Sequence, residues 1–335
     1  MINNQITIKE IAKEANVSIT AVSFVLNGKE NSVSKETAER ILSVCKKYNF
    51  KPNYIASSLK SKNCKTVGCI VPDLENNYYS RLIVRLEECL KEEGYTVLIT
   101  SSGYSIENCL SSIDELLNRK VGYLVIIPPS SLFYKNSEFA NTVLNLEIPY
   151  VVLDRKIGED KNKAVVTDDV KGGYIATKYL LDKGYKRIAA ITGPDSISSS
   201  ANRLEGYKKA LENAGISYDS SLIFEGDYRF ESGEKIAKKI FEEKLDVDAI
   251  FAFNDLMAYG VYRASNECGK KIGTDISLIG YDDNRFSSLI SPGLTTVRQD
   301  IDMLCKAVVE ELFTEDRTPR LVSVEPTLVE RESVK

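Results

Sequence analysis

From Thr66 onward, short apolar runs alternate with amphipathic stretches of ten to fifteen residues, and this alternation restricts the possible folds more than any other feature. Runs that are apolar throughout suit strands buried on both faces, and intervening helices allow neighbouring strands to run parallel. The pattern therefore predicts a doubly wound parallel α/β core. About 270 residues of such sequence suit two lobes better than one. The predicted strands are Thr66–Val71, Tyr95–Ile99, Tyr123–Ile127, Tyr150–Leu153, Arg187–Ile191, Ala249–Phe253 and Ser277–Gly280.

Polar and aromatic residues directly follow the predicted strands, at the edge where open parallel sheets bind their ligands. Taken singly, an Asn-Asp pair after a strand is usually a helix cap and a pair of tyrosines is usually core. Their shared position at strand ends favours a binding site instead. Aromatic rings can cover the apolar face of a sugar while carboxylates, an amide and a guanidinium bond its hydroxyls. We therefore predict a site for a polyhydroxylated small molecule that includes Asp73, Tyr78, Tyr79, Asp154, Arg203, Tyr228, Asn254 and Asp282.

The first fifty residues have the pattern of three short helices. Thr7 and Glu10 form a capping box, and apolar residues follow at helical spacing. The first helix is predicted to end near Asn16, Ser18 can cap a second helix only three residues later, and Ser34 can cap a third. We expect Ala38, Ile41, Leu42, Cys45 and Tyr48 to form the inward stripe of that third helix. Two short helices joined by a tight turn and closed by a third make a helix-turn-helix arrangement.

The second helix carries the residues expected to contact DNA. Ile19, Thr20, Ser23 and Phe24 point outward at the end of a recognition helix that enters the major groove. Ser18 and Ser23 are candidates for phosphate contacts. A generic three-helix bundle is the alternative, but a merely solvated helix would carry charges where Ile19 and Phe24 stand.

The charge is distributed unevenly along the chain. Up to Lys65 there are eleven basic and five acidic side chains, which give +6 and leave −10 for the rest of a chain whose net charge is −4. A basic N-terminal region followed by an acidic remainder favours binding of a polyanion by the N-terminal region.

A short segment after Pro52 places Ile55, Ala56 and Leu59 on one face of a helix of two turns. Such a helix is marginal in water and would need DNA or a twin helix to order it. Leu59 is then a candidate wedge between base steps in the minor groove, with Ala56 beside it. A plain flexible linker is the alternative.

Five segments together resemble the lactose/galactose-repressor (LacI/GalR) family, and the resemblance extends through essentially the whole chain: Thr7–Ala12, Asn16–Ser18, Val22–Gly28, Tyr48–Asn53 and Ala56–Leu59. It implies a helix-turn-helix domain at 1–50, a hinge at 51–63 and an effector-binding, dimerising core of the periplasmic-binding-protein type at 64–335. The expected lobes are about 64–163 plus 298–320 and about 164–297 plus 321–330.

The resemblance also implies residue roles. In the family a homodimer places two recognition helices in successive major grooves and two hinge helices in the central minor groove. The implied operator contacts are Thr7, Ser18, Ile19, Thr20, Ser23, Phe24, Asn27, Asn53, Tyr54, Ala56 and Leu59. The effector residues that match family motifs are Asp154, Arg203, Tyr228, Asn254 and Asp282, and Gln299 is added to them.

Three departures from the family pattern bear on specificity. Phe24 stands where an arginine commonly reads guanine, and Phe24 can only pack or contact a thymine methyl. Ser57 replaces a frequent arginine, which removes an expected backbone contact. Asn77 and Tyr78 lie in a segment where the family often has Asn-Pro-Phe-Phe, so the cleft is expected to be more polar and its loop freer.

These features predict a transcription regulator, expected to be a repressor, whose small-molecule effector shifts the lobe angle and thereby operator affinity. A sugar is the preferred effector and a purine the alternative. The sign of control stays open, because sugar-sensing relatives release DNA and purine-sensing ones bind it more tightly. A coupling of about 1–3 kcal/mol would change affinity roughly 5–150-fold.

Two other classes of protein are the alternatives to this prediction. A transport solute-binding protein would have the same core, but the basic N-terminal region and the polar N-terminus without a secretory pattern disfavour it. An enzyme is disfavoured because the chain has no histidine, no G-x-G-x-x-G and no P-loop. We therefore expect no catalytic residues, metal or cofactor. The seven scattered cysteines indicate reduced thiols, and no apolar run approaches the roughly 18 residues that span a bilayer, so we expect a cytoplasmic protein with no membrane partner.

Overall fold

The computed structural model describes residues 6–26, 32–50, 64–129, 138–157 and 162–335, which belong to two compact units, 1–64 and 65–335. The helices of the described residues are α1 Ile8–Glu14, α2 Ile19–Leu26, α3 Lys35–Lys47, α4 Asn77–Glu92, α5 Ile106–Asn118, α6 Glu138–Leu144, α7 Asp169–Asp182, α8 Ser198–Asn213, α9 Phe230–Glu242, α10 Asp255–Glu267 and α11 Ile301–Phe313. Their strands are β1 Thr66–Val71, β2 Thr96–Ser101, β3 Tyr123–Ile126, β4 Tyr150–Leu153, β5 Ala164–Thr167, β6 Ile188–Thr192, β7 Ile223–Glu225, β8 Ala249–Ala252, β9 Ser277–Tyr281, β10 Thr295–Arg298, β11 Leu321–Val324 and β12 Thr327–Val329.

The first unit contains the three predicted N-terminal helices. The capping box of α1 is present: Thr7 N donates to Glu10 Oε2 over 2.7 Å, and Glu10 N donates to Thr7 Oγ1 over 3.4 Å. Ser18 caps α2 by accepting from Ala21 N at 3.1 Å. The three helices share a small apolar core that includes buried Ile11, Val22, Val25 and Ile41.

Part of the predicted stripe of α3 is wrong. Leu42 and Tyr48, expected to face inward, are 44% and 39% exposed, whereas Val44 is buried. The angular spread of the apolar residues along α3 is wider than the face that two short helices can cover. The expected operator contact Asn27 lies outside the described residues, and so do the hinge residues Asn53, Tyr54, Ala56 and Leu59.

The second unit consists of two lobes, each built on a sheet of six described strands. The first sheet has the order β11-β5-β4-β3-β1-β2 and is parallel throughout. The second has the order β12-β10-β9-β8-β6-β7, and only the pair β10–β12 is antiparallel. Apolar clusters lie on both faces of the first sheet, and one large cluster fills the second lobe. This is the predicted doubly wound α/β architecture.

The strand pairing corrects the predicted lobe boundaries. β5 at 164–167 and β11 at 321–324 were assigned to the second lobe, but they pair with each other and with β4 in the first sheet. Arg298, assigned to the first lobe, ends β10 of the second sheet. Short apolar strands such as Ala-Val-Val-Thr fit the interior of either sheet, so the choice depends on partners distant in sequence. The chain beyond residue 330 also continues into the second lobe, where Ser333 Oγ donates to Leu278 O at 2.6 Å.

Helices α7 and α8 cross at very short range in the second lobe. A Cβ on Gly206 would lie 2.1 Å from Val170 O, and one on Gly173 would lie 2.1 Å from Arg203 O. Only glycine permits this approach, which fixes the position of the side chains near the start of both helices. Within the described residues no helix is both long and apolar enough to cross a membrane.

Candidate functional site

A cavity lies where the carboxyl ends of strands from both sheets meet, and it brings together eight of the nine residues predicted for small-molecule binding. Its lining is Asn76, Tyr78, Tyr79, Tyr104, Asp154, Arg155, Ser199, Arg203, Tyr228, Asn254, Asp282 and Gln299. Asp73 is the exception: it does not line the cavity, and its carboxylate accepts from Glu75 N at 2.8 Å within the loop. The sequence placed Asp73 near the end of β1, but the loop turns its short side chain back on its own backbone.

The first lobe contributes a carboxylate held by two phenols. The hydroxyls of Tyr78 and Tyr79 lie 3.1 Å from Asp154 Oδ1 and Oδ2, respectively. Arg155 Nη2 donates to the Tyr79 hydroxyl at 2.8 Å, and its Nη1 donates to Pro128 O at 2.6 Å. Burial, reinforced by the neighbouring Asp154 charge, raises the pKa of Tyr78 well above its ordinary value, and burial likewise raises that of Tyr79. Both phenols are therefore protonated donors at neutral pH.

The second lobe contributes a buried ion pair. Arg203 Nε donates to Asp169 Oδ1 at 2.8 Å, its Nη1 donates to Phe253 O, and its guanidinium lies 3.5 Å from the centre of the Tyr281 ring. The Tyr281 hydroxyl also donates to Asp169 Oδ1, at 2.9 Å. Burial raises the pKa of Asp169, while Arg203 acts in the opposite direction. The Arg203 side chain is thus held rigidly at the cavity wall.

Gln299 joins the two lobes across the cavity. Its Nε2 donates to Asp282 Oδ1 at 2.7 Å, and its Oε1 accepts from Thr167 Oγ1 at 2.6 Å and lies 3.1 Å from the Tyr78 hydroxyl. Burial raises the pKa of Asp282 well above the ordinary aspartate value, with Arg203 opposing the shift. A ligand that enters between the lobes must compete for these bonds, so it can change how the lobes are held together.

A second link between the lobes is Arg81 on α4, whose Nη1 donates to the backbone carbonyl of Asp283 at 2.7 Å. The Asp283 carboxylate is itself bound by Arg298 at 2.7 Å and Arg331 at 2.6 Å. Asp283 directly follows Asp282, so the residue that lines the cavity is adjacent to the one that receives the inter-lobe bond.

Backbone strain is concentrated in the cavity. Asp154, Tyr228 and Asp282 have φ values of 69°, 66° and 106°, in the region that residues with a side chain seldom adopt. Such conformations persist where the surrounding structure enforces them and occur preferentially at binding sites. Asn254 is both a helix cap and a wall residue: its Oδ1 accepts from Met257 N, and its Nδ2 holds the carbonyl of the strained Tyr228 at 2.8 Å.

Four lining residues were not predicted from the sequence: Asn76, Tyr104, Arg155 and Ser199. Arg155 directly follows Asp154, so the same strand-end rule would have found it. Ser199 lies in the first turn of α8, which begins at Ser198, and does not directly follow a strand. Tyr104 lies in the loop after β2, three residues beyond the strand end.

On the first unit, α2 presents the predicted outward face. Ile19, Thr20 and Phe24 are exposed, Ser23 is half-buried, and Val22 and Val25 are buried on the opposite side. Thr7 and Ser18 are exposed next to the N-termini of the two helices that they cap.

Comparisons with known proteins identify both units. Residues 7–53 match the model for bacterial regulatory proteins of the lacI family, and residues 177–334 match a periplasmic binding protein-like domain. The chain is 32% identical over 338 residues to the HTH-type transcriptional repressor PurR of Klebsiella pneumoniae subsp. pneumoniae, covering 98% of this chain and 96% of the relative. The chain belongs to the LacI family.

Solved structures agree with this membership. The lac repressor dimer bound to operator and the anti-inducer ONPF superposes with a TM-score of 0.86 at 26% identity, over 98% of this chain and 99% of that one. The transcriptional regulator CelR in complex with cellobiose superposes with a TM-score of 0.73 at 26% identity, over the same shares of the two chains. This LacI-family chain is a DNA-binding transcriptional regulator with an effector-binding core.

Proposed function

We propose that the protein is a homodimeric repressor in the cytoplasm that binds operator DNA through α2. A small molecule that binds between the core lobes raises or lowers its affinity for the operator. The observation that carries the proposal is the Gln299 side chain, which bonds Asp282 of the second lobe at 2.7 Å and lies 3.1 Å from the Tyr78 hydroxyl of the first lobe. It joins the two lobes through residues of the cavity itself, so a ligand in the cavity acts directly on the contact that sets the lobe angle.

The proposed effector is a neutral sugar. The cavity supplies carboxylates, an amide and tyrosine hydroxyls that suit paired hydroxyls, and the aromatic rings of Tyr78, Tyr79 and Tyr228 suit the apolar face of a sugar ring. The two arginines each lie against a carboxylate, Arg155 beside Asp154 and Arg203 beside Asp169, which favours an uncharged ligand. The CelR relative in complex with cellobiose supports a sugar, and the PurR relatives keep a purine as the alternative.

The lobes must open for the effector to enter. The cavity holds only about 30 Å³, room for about two water molecules, whereas sites for small molecules measure roughly 300–1,000 Å³. Binding therefore selects another lobe arrangement, and the ligand shifts the equilibrium by its differential affinity for the two arrangements. Exposed Phe286 and Leu289 on the second lobe offer an apolar surface for a second copy, which supports the homodimer.

The test is selection of duplexes from a random DNA pool by the full-length protein at a fixed, stated salt concentration, with and without a mixture of sugars and purines. Enrichment of a pseudo-palindrome supports the repressor function, and the condition that changes enrichment identifies the effector class and the sign of control. No enrichment from a folded protein contradicts operator binding and favours a solute-binding module.

A matched pair of variants tests the cavity. Asp282→Ala removes the acceptor of the Gln299 amide inside the cavity, whereas Asp73→Ala changes an aspartate outside it. We expect the first variant to need at least tenfold more effector for the same change in operator binding, or not to respond at all. The second variant should respond like the unaltered protein. Equal responses of all three proteins would place effector binding elsewhere.

A further inference from the structure

The recognition helix α2 exposes a face without a single charged or amide side chain. Its eight residues, Ile19–Leu26, are aliphatic, aromatic or hydroxyl-bearing. Ile19 and Phe24 remain 44% and 37% exposed although the helix has an apolar core face to occupy. Exposed apolar side chains on a helix in a basic domain call for a specific partner surface rather than solvent.

The side chains of α2 cannot make the hydrogen bonds through which proteins usually read bases in the major groove. Guanine is read mainly by arginine or lysine, adenine by asparagine or glutamine, and cytosine by a carboxylate. None of these occurs in α2. The contacts that remain are apolar packing on the thymine C5 methyl and hydroxyl bonds from Thr20 or Ser23, which do not discriminate one base strongly.

The geometry of α2 arranges these side chains as one surface. Thr20 and Phe24 are four residues apart, so they lie on the same face one turn apart, and Ile19 lies at the N-terminal end about 100° around the helix from Thr20. Buried Val22 and Val25 hold the opposite face on the domain core. The Thr20 methyl and Phe24 therefore form one apolar strip, and Ile19 exposes a further apolar side chain beside its N-terminal end, where the helix meets base edges.

We infer that α2 reads its operator through thymine methyl groups, with Ile19 and Phe24 as the specificity-determining residues, so that the base pairs under α2 are A·T pairs. This inference rests on the proposed operator function. Each methyl buried against the strip contributes as one buried methylene does, which corresponds to a roughly threefold to fivefold gain in affinity.

The experiment replaces single thymines by deoxyuridine in the operator obtained by selection, because deoxyuridine removes only the methyl. For the full-length protein we expect roughly threefold to fivefold weaker binding at each thymine under α2 and no change at thymines in the flanks. Replacing the same T·A pair by 5-methylcytosine·G should retain more affinity than cytosine·G, since the methyl is kept while the hydrogen-bonding edge changes.

Protein variants show which side chain of α2 contacts each thymine methyl. Phe24→Ala and Ile19→Ala should each abolish the penalty for deoxyuridine at one thymine. Leu42→Ala is the matched control, because Leu42 is also an apolar residue of the same unit with 44% exposure, but it lies on α3. It should leave every deoxyuridine penalty intact.

The inference is overturned if an operator is enriched and bound but no deoxyuridine within the half-site weakens binding, or if the penalty persists in both α2 variants. Failure to enrich any operator is a different result, because it removes the operator function itself and the inference with it. The deoxyuridine series does not depend on the folding of any variant.

Discussion

Replacing Gly206 by alanine tests whether the close crossing of α7 and α8 holds the cavity wall in place. The added Cβ would lie 2.1 Å from Val170 O and 2.5 Å from Tyr174 N, both backbone atoms that cannot rotate away. Reaching ordinary contact distances of about 3.5 Å requires the Cβ and the Val170 carbonyl to move apart by roughly 1.4 Å. Arg203, one turn before Gly206 on α8, would then be pulled from Asp169 on α7, which it now contacts at 2.8 Å.

The net effect can be estimated from opposing contributions. Alanine in a helix interior favours folding by about 1 kcal/mol over glycine. Overpacking costs about 1–3 kcal/mol, and weakening a buried charge-assisted hydrogen bond costs about 1.5–3 kcal/mol more. We expect Gly206→Ala to lower the free energy of unfolding by about 1.5–5 kcal/mol, whereas the same change in a helix without the crossing would raise it.

The assay is urea unfolding followed by far-ultraviolet circular dichroism, since the chain has no tryptophan, combined with hydrogen exchange of α7 and α8. Gly184→Ala is the control: φ at Gly184 is +93° and nothing lies within 4 Å of its added Cβ. It should cost about 1–2 kcal/mol from backbone strain alone and leave exchange in α8 unchanged. A Gly206→Ala protein as stable as the original would refute the reasoning that the crossing is rigid.

Three further changes have defined outcomes. Thr7→Ala should destabilise the first unit by about 1 kcal/mol through loss of the α1 cap, whereas Thr7→Ser should not, as measured by thermal unfolding. Arg81→Met removes the 2.7 Å bond to the Asp283 carbonyl and should increase the radius of gyration of the core in X-ray scattering, and an unchanged radius would contradict a role in lobe closure. Burial raises the pKa of Asp255 from 3.8 to about 7, although Ser287, Thr296 and a backbone amide oppose the shift. The native state therefore keeps a proton that the unfolded chain loses, so this contribution to stability declines as the pH rises from about 4 to about 7. The difference between the original protein and Asp255→Asn in urea unfolding should follow that slope, and a flat difference would contradict the shift.

Local patterns in the sequence predicted most of the elements. The capping box at Thr7 and Glu10 is present, and the apolar runs at 66–71 and 150–153 are strands over the predicted bounds. These features depend on hydrogen bonds between residues close in sequence, or on the regular spacing of apolar residues along one helix or strand. The strand-end rule likewise found seven cavity residues, because the carboxyl ends of parallel strands all point to the same edge, and the family resemblance added Gln299.

Other features depend on partners far away in the chain and were not predictable in the same way. Asp73 follows a strand as Asp154 does, yet only Asp154 receives bonds from Tyr78 and Tyr79. Leu42 belongs to an apolar stripe by spacing but is exposed, because the first unit is too small to cover it.

The sequence by itself determined the class of each unit, the helix-turn-helix with its apolar recognition face, and the alternation of strands with helices in the core, because these follow from short-range periodicity and capping. Only the tertiary structure decided that β5 and β11 belong to the first sheet and that Gln299 contacts both Asp282 of the second lobe and Tyr78 of the first. Those outcomes depend on which strands pair although they are distant in sequence, and no local stretch of the sequence specifies that pairing.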